Sequence, residues 1–401
     1  MMTSSRCFSV VMFTVWLFGV SVATRSARAQ TFKVLHSFTG SPDGAAPYDG
    51  LLRDATGILY GTTYSGGDST CNCGVVFEIE SGGTEDVLYT FKGATDGANP
   101  EAGLRLSGGA LYGTTRFGGG HGLGTIFKLD TNGTETVLHS FGGAKDGSEP
   151  FAGLVLDNQG NIYGDTYDGG GMGCNAGCGT IFKLGPSRKE TILHRFQAAE
   201  GSDPIRRLVR DQEGNLYGVT EFGGGAGCGG TGCGTVYKLS KSGDLKVLHT
   251  FAGGTADGCL PQGSVTVDKN GNLYGTTLEC GSNDIGTVWK LSKNGSETVL
   301  HNFAGGKTDG AYSESTVVLD ASGNLYGTTI AGGAYDDGTV YMLNNDGTLR
   351  VLHTFTGGTD GLAPEAGVIG DGSGNLYGTT IDGGNANCIP QGCGVVFKIT
   401  P

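Results

Sequence analysis

Arg206, Arg207 and Arg210 crowd one short segment, Gly201-Ser202-Asp203-Pro204-Ile205-Arg206-Arg207-Leu208-Val209-Arg210. A guanidinium presents a planar fork of N–H donors that matches the oxygens of a carboxylate, sulfate or phosphate. Three of them at one rim would form a positive spot on an acidic chain. The opposing reading is local pairing, with Glu101, Glu314, Glu365 or Asp165 as partners. Arg116, Tyr167 and Glu221 share one position with Tyr64, and that position is Leu278, Ile330 and Ile381 further along. Asp165 stands where a threonine otherwise recurs, and His121 sits in a glycine-rich loop. Gathered in one cleft, Arg, His and Tyr can neutralise a carboxylate and move a proton, as β-elimination from a uronate requires. The candidate binding site is therefore Arg116, His121, Asp165, Tyr167, Arg206, Arg207, Arg210 and Glu221, with no catalytic residue assigned.

The elements that must position these residues are repeats. Leu59-Tyr60-Gly61-Thr62-Thr63 recurs, with few changes, around Tyr112, Tyr163, Tyr217, Tyr274, Tyr326 and Tyr377, at intervals of 51 to 57 residues. Each copy is followed by a phrase such as Gly124-Thr125-Ile126-Phe127-Lys128-Leu129. A third phrase, Val137-Leu138-His139-Ser140-Phe141, also occurs seven times, and a short apolar run ending in a turn precedes each tyrosine phrase. Four β-prone runs per repeat, punctuated by Gly, Asn and Asp, predict four antiparallel strands. Tandem four-stranded units point to a β-propeller, with a linear β-solenoid as competitor. The ends decide between them. Val34-Leu35-His36-Ser37-Phe38 has no preceding strands of its own, and the last repeat stops at Ile399 without its fourth strand. A closed ring explains that division, because the N-terminal strand completes the last blade and removes an open edge. The expectation is all-β: one seven-bladed propeller over residues 30–401.

The second-to-third-strand loops and the inter-repeat segments are long, whereas the other turns are tight. In an antiparallel blade both long classes emerge on one face, where binding is best sought. Ten cysteines lie on it in close pairs: Cys71 with Cys73, Cys174 with Cys178, Cys228 with Cys233 and Cys388 with Cys393. Cys259 with Cys280 is the wider fifth pair. Close pairs in an exported chain indicate disulfides, and no histidine neighbours them to suggest zinc. The ring closed by Cys71 and Cys73 is the tightest of the five. Six histidines occupy one repeated strand position (His36, His139, His194, His249, His301, His353) and read as structural. The recurring Asp-Gly pairs read as turns, with calcium as the second reading. Gly225-Ala226-Gly227-Cys228-Gly229-Gly230 spells G-x-G-x-x-G but precedes a strand, so no dinucleotide site is expected. No metal or cofactor is expected.

Glycine supplies 78 of the 401 residues, against a usual ~7%. Formal net charge is −13, which speaks against nucleic acid or an anionic membrane as partner. Residues 1–29 read as a secretory signal: Arg6, an uncharged stretch over 7–23, and Ala27-Arg28-Ala29 before Gln30. Its cleavage leaves no membrane span and gives a secreted or periplasmic location.

The repeats resemble the GloVer-type tandem repeats of bacterial exported proteins in the choice-of-anchor family. Those units read D-x-x-G-N-L-Y-G-T-T, then G-G, then G-T-V-F-K-L. Asp268-Lys269-Asn270-Gly271-Asn272-Leu273-Tyr274-Gly275-Thr276-Thr277 matches most fully, as does 320–329, and the likeness spans 31–401. The resemblance implies a propeller and export, and names no reaction. Some family members carry a C-terminal surface anchor, which is not expected here because Pro401 directly follows the last strand. The leading functional reading is binding of a glycan or another extracellular partner on the long-loop face. A lyase or hydrolase acting on acidic polysaccharide is the alternative, and a structural surface or matrix protein the third.

Overall fold

The computed structural model describes residues 30–400 except 172, 385–386 and 389–390. The expected leader, residues 1–29 with Cys7, lies outside the described residues. Seven four-stranded antiparallel sheets follow one another around a channel. In blade one the order from inside out is Leu52–Arg53, Leu59–Thr63, Val75–Ile79 and Glu85–Thr90. Blade seven is completed as expected: Thr31–Ser37 lies antiparallel to Val395–Thr400, with Thr31 opposite Thr400 and Ser37 opposite Val395. One propeller accounts for all the described residues.

The recurring phrases map onto recurring contacts. In Asp268 to Tyr274, Asp268 Oδ1 accepts from the Asn270 and Asn272 amides. Its Oδ2 accepts from Asn272 Nδ2 and the Tyr274 hydroxyl. The motif is thus a self-satisfied turn on the short-turn face. The glycine after each tyrosine lies flat against the third-strand aromatic ring; a Cβ on Gly275 would fall 2.4 Å from Trp289. Those aromatics (Phe77, Phe127, Phe182, Tyr237, Trp289, Tyr341 and Phe397) form the buried layer. Each meets edge-on the phenylalanine that ends the preceding blade, as Phe38 meets Phe77 at 5.1 Å between ring centres. Blades are also joined by threonine hydroxyls: Thr62 donates to the Ala102 carbonyl, Thr114 to Ala152, Thr276 to Ser315, Thr328 to Ala366 and Thr379 to Asp49.

The cysteines pair as the spacing suggests. Cys71 is bonded to Cys73, Cys174 to Cys178, Cys228 to Cys233 and Cys388 to Cys393. Cys259 and Cys280 meet because Gly258–Cys259 pairs with Glu279–Cys280 across the two long-loop classes. Their placement departs from the expectation in one respect, since six of the ten cysteines, Cys259 and Cys280 among them, are buried and not part of an exposed binding face. The second cysteine of every close pair (Cys73, Cys178, Cys233 and Cys393) is buried. Each joins an apolar cluster, as Cys73 does with Val76 and Phe91, and Cys178 with Ile181 and Phe196. Cys233 packs likewise with Val236 and Phe251, and Cys393 with Phe38 and Val396. The physical reason is position: these four stand two residues before the third strand and enter the core with it. The close disulfides therefore fasten the long loops down onto the blades.

The repeated histidines lie in the outer strands, and the Asp-Gly carboxylates cap their own turns. Asp43, for example, accepts from the Thr39 amide and faces His36 Nε2 at 3.1 Å. No helix among the described residues is long and apolar enough to cross a membrane.

Candidate functional site

Each blade enters its inner strand through one tight bend, and the bend residues of all seven blades converge at the channel mouth on the long-loop face. Contacts run around the mouth from Arg116 to Glu314, with an aromatic pair standing beside them. Tyr48 meets Tyr64 edge-on at 5.3 Å. The Arg116 guanidinium bonds Glu149 at 3.0 Å and Glu101 at 3.3 Å, and covers the Phe151 ring at 4.1 Å. Phe151 lies 5.0 Å from Tyr167, whose hydroxyl donates to Glu221 at 3.3 Å. Glu221 accepts from Gln262 Nε2 at 2.8 Å, and the Gln262 carbonyl accepts from Arg206 Nε at 2.8 Å. Arg206 reaches Glu314 at 3.4 Å. Glu365 lies within reach of the charge of Glu314, and its own charge acts on Tyr48.

The ring is rich in carboxylates, and burial dominates their titration. Burial, reinforced by the charge of Glu314, pushes Glu365 up to about 8. Burial pushes Glu221 up to about 7 against its bonds from Gln262 and Tyr167. Burial also raises Glu101, although Arg116 and Arg206 pull it back. Arg206 is the hub. Burial works against its charge, but Asp49, Glu314, Glu365 and Glu101 outweigh burial and hold it above the ordinary arginine range. The local pairing reading therefore describes Arg206 correctly, with Glu314 as partner.

One residue deeper, Arg207 lines a channel cavity of about 130 Å³ together with Asp49, Arg105, Ser264, Thr316 and inner-strand backbone. Four other repeats have glycine at its position. Arg105 donates to the Leu154 carbonyl at 3.0 Å. Its pKa is lowered to about 10 by burial and by Arg207. Arg210 belongs to the opposite end: the inner strand has crossed to the short-turn face there, and its guanidinium lies 5.6 Å from the Tyr163 ring centre. His121 is exposed at a loop tip beside Gly142. Of the sequence candidates, the structure thus brings Arg116, Tyr167, Arg206 and Glu221 together. Arg207 sits beneath them, and His121, Asp165 and Arg210 stand apart.

Asp165 is 1% exposed between blades three and four, and neither carboxyl oxygen has a hydrogen-bond partner. Burial drives its pKa well above the carboxylate range. It occupies the position of the threonines that donate to the next blade. Asp165→Thr is expected to raise stability by about 1–3 kcal/mol by restoring that bond and removing an unsatisfied buried group. Chemical denaturation checks this; an unchanged or lower midpoint would count against it.

Tyr48, Phe151 and Gln262 escaped the sequence candidates, and Glu101, Glu314 and Glu365 entered only as partners for the arginines. They share one register, the residue after the bend Pro47, Pro100, Pro150, Pro261, Ser313 and Pro364. Unlike the flanking glycines and alanines, that register varies from repeat to repeat, which was the available signal. A larger concavity, about 860 Å³, opens at the other end between blades five and six. Its carboxylates Asp268 and Asp320 are engaged in their own turns, so the mouth is the better chemical site.

The fold recurs in solved structures. The extracellular domain of a putative one-component system from B. thetaiotaomicron matches at 12% identity and a TM-score of 0.57, over 91% of this chain and 39% of that one. A puromycin-hydrolyzing peptidase of Mycobacterium tuberculosis matches at 12% identity and 0.51, over 87% of this chain and 52% of that one. The chain therefore corresponds to less than two thirds of either protein, and the likeness is one of fold alone. No curated protein sequence matches it. The model of the Gloeobacter/Verrucomicrobia repeat matches residues 21–174 and 227–401. The unmatched interval contains Asp203, Arg206, Arg207 and Glu221. With the repeat matched over most of its length, this chain belongs to the Gloeobacter/Verrucomicrobia repeat family.

Proposed function

We propose that this is an exported propeller that binds a glycan at the channel mouth on its long-loop face. The observation that carries the reading is the ring of four half-buried aromatic side chains, Tyr48, Tyr64, Phe151 and Tyr167, interleaved with charged hydrogen-bonding groups. Such rings offer flat apolar surface with polar handles, and Arg and carboxylate groups match hydroxyl donors and acceptors. Five disulfides and the Ala-x-Ala leader support export. Even with Glu221 and Glu365 holding their protons, Glu101, Glu149 and Glu314 outnumber Arg116 and Arg206, which favours a neutral glycan over an acidic polysaccharide.

A glycan array probed with the purified chain tests the proposal. Binding is expected to neutral oligosaccharides and to weaken about tenfold or more in Tyr64→Ala and Tyr167→Ala. Absence of binding across the array, or binding untouched by both variants, would overturn it. Hydrolysis is the second reading, favoured because Glu221 and Glu365 retain protons near neutral pH. Release of reducing ends, abolished by Glu221→Gln or Glu365→Gln, would replace binding with that chemistry.

A further inference from the structure

The outer wall carries a second constellation that the mouth does not use. Each repeated histidine is approached by a residue from the next blade's outer strand. Phe32 fills that place against His353, stacked at 3.7 Å between ring centres. At the same register stand Glu190, Leu245, Glu297 and Leu349. Where the residue is leucine, the histidine keeps an ordinary bond: His194 to Glu200 at 3.0 Å and His301 to Asp309 at 2.9 Å. His36 stands close enough to Glu85 for its charge to act on that carboxylate, and it keeps its bond to Asp43 at 3.1 Å.

Where it is Glu190 or Glu297, the arrangement changes. His139, Asp146 and Glu190 gather their donor atoms within 4.8 Å of one another, and so do His249, Asp257 and Glu297. In both groups the histidine Nε2 and the glutamate Oε1 are buried without a hydrogen-bond partner. His139 Nε2 lies 3.4 Å from Asp146 and 3.5 Å from Glu190, and His249 Nε2 lies 3.3 Å from Asp257. A tetrahedral ion with bonds of about 2.1 Å sets its ligand atoms about 3.4 Å apart. One neutral imidazole and two carboxylates also balance a divalent charge. Arg195 stands beside Glu190, but its guanidinium is tied to the Lys145 carbonyl. The third group of donors among the described residues, Cys228, Cys259 and Cys280, is closed in disulfides.

We propose that His139, Asp146 and Glu190, and equally His249, Asp257 and Glu297, form two divalent-cation sites of zinc type, each with three protein ligands and one open position. They pin the outer strands of blades two to three and four to five. This departs from the sequence expectation that no metal is bound, because the ligands come from neighbouring repeats and their spacing along the chain spells no metal motif.

The variants Glu190→Leu and Glu297→Leu copy the residue that the fold already accepts at Leu245 and Leu349, so both are expected to fold. Equilibrium dialysis of the purified chain against micromolar Zn²⁺, followed by elemental analysis, is expected to give two zinc ions per chain. One should remain in either single variant and none in the double variant. His194→Ala should leave both. Zinc should raise the unfolding midpoint of the parent chain and not of the double variant. Less than one zinc per parent chain, or equal zinc in parent and double variant, would overturn the proposal.

Discussion

A chain lacking residues 30–38 is expected to lose cooperative unfolding and to associate through its last blade. The strand Thr31–Ser37 covers the only edge of Val395–Thr400 that faces outward. Removing it exposes a row of unpaired backbone groups, a template for intermolecular pairing. It also removes Phe38, which is fully buried against Phe77 and whose amide donates to the Gly394 carbonyl at 3.1 Å. Phe38→Ala isolates the packing part: emptying so buried a site costs about 3–5 kcal/mol. The strand keeps its ladder in that variant, so the chain should stay monomeric while its denaturation midpoint falls. Adding residues 30–38 as a peptide should restore monomer to the truncated chain. A truncated chain that unfolds as the parent does would show that the ring is not held by this strand.

The second large effect is expected at Arg206. Replacing it by methionine leaves Glu314 and Glu365 facing each other without their cation. Removing one partner of a buried pair typically costs about 3–5 kcal/mol. The pH dependence carries the diagnosis. Glu365 titrates at about 8 and Glu221 at about 7 in the folded ring, both above their unfolded values. The folded state therefore binds more protons than the unfolded state across that window. The contribution is fully present below the unfolded carboxylate value and is lost as pH rises through about 7 to 8. The parent chain should accordingly melt at lower temperature at about pH 8 than at about pH 5. Arg206→Met should steepen that fall, and Glu365→Gln should flatten it. Calorimetry across this range decides; a flat profile in the parent would mean the ring carboxylates are not buried as described.

The fold was legible because its signal is redundant. Seven copies of Tyr-Gly-Thr set the blade count, and the orphan strand at Val34 set the closure, before any long-range contact was known. Cys259 and Cys280 could be paired because the ring topology alone brings their two loop classes together. The burial of Cys73, Cys178, Cys233 and Cys393 was not legible, because a cysteine at a loop's end gives no sign of which way its side chain turns. The site was legible only where it broke the repeat. Arg206 and Arg207 stood out against glycine and alanine, but Glu101, Glu314 and Glu365 could be named only as partners for them, since a single glutamate in a loop is unremarkable without its six counterparts around the channel. Arg210 and Asp165 misled for a geometric reason. Four residues along an inner strand carry a side chain from one face of the disc to the other, and a side chain on the second strand can point between blades instead of into the mouth. The His-Asp-Glu groups were illegible because each draws two ligands from one repeat and the third from the next.

The pairing of Thr31 with Thr400 has a consequence for orientation. Both strands reach the short-turn face at these ends, so Thr31 and Thr400 lie there side by side, with the aromatic mouth on the far side of the disc. Anything tethered next to Thr31 or Thr400, whether a reporter, a solid support or a neighbouring protein, would hold the molecule with its mouth directed away from the attachment. Immobilisation by a tag placed there thus presents the proposed glycan-binding face to solution, and immobilisation through the long loops hides it.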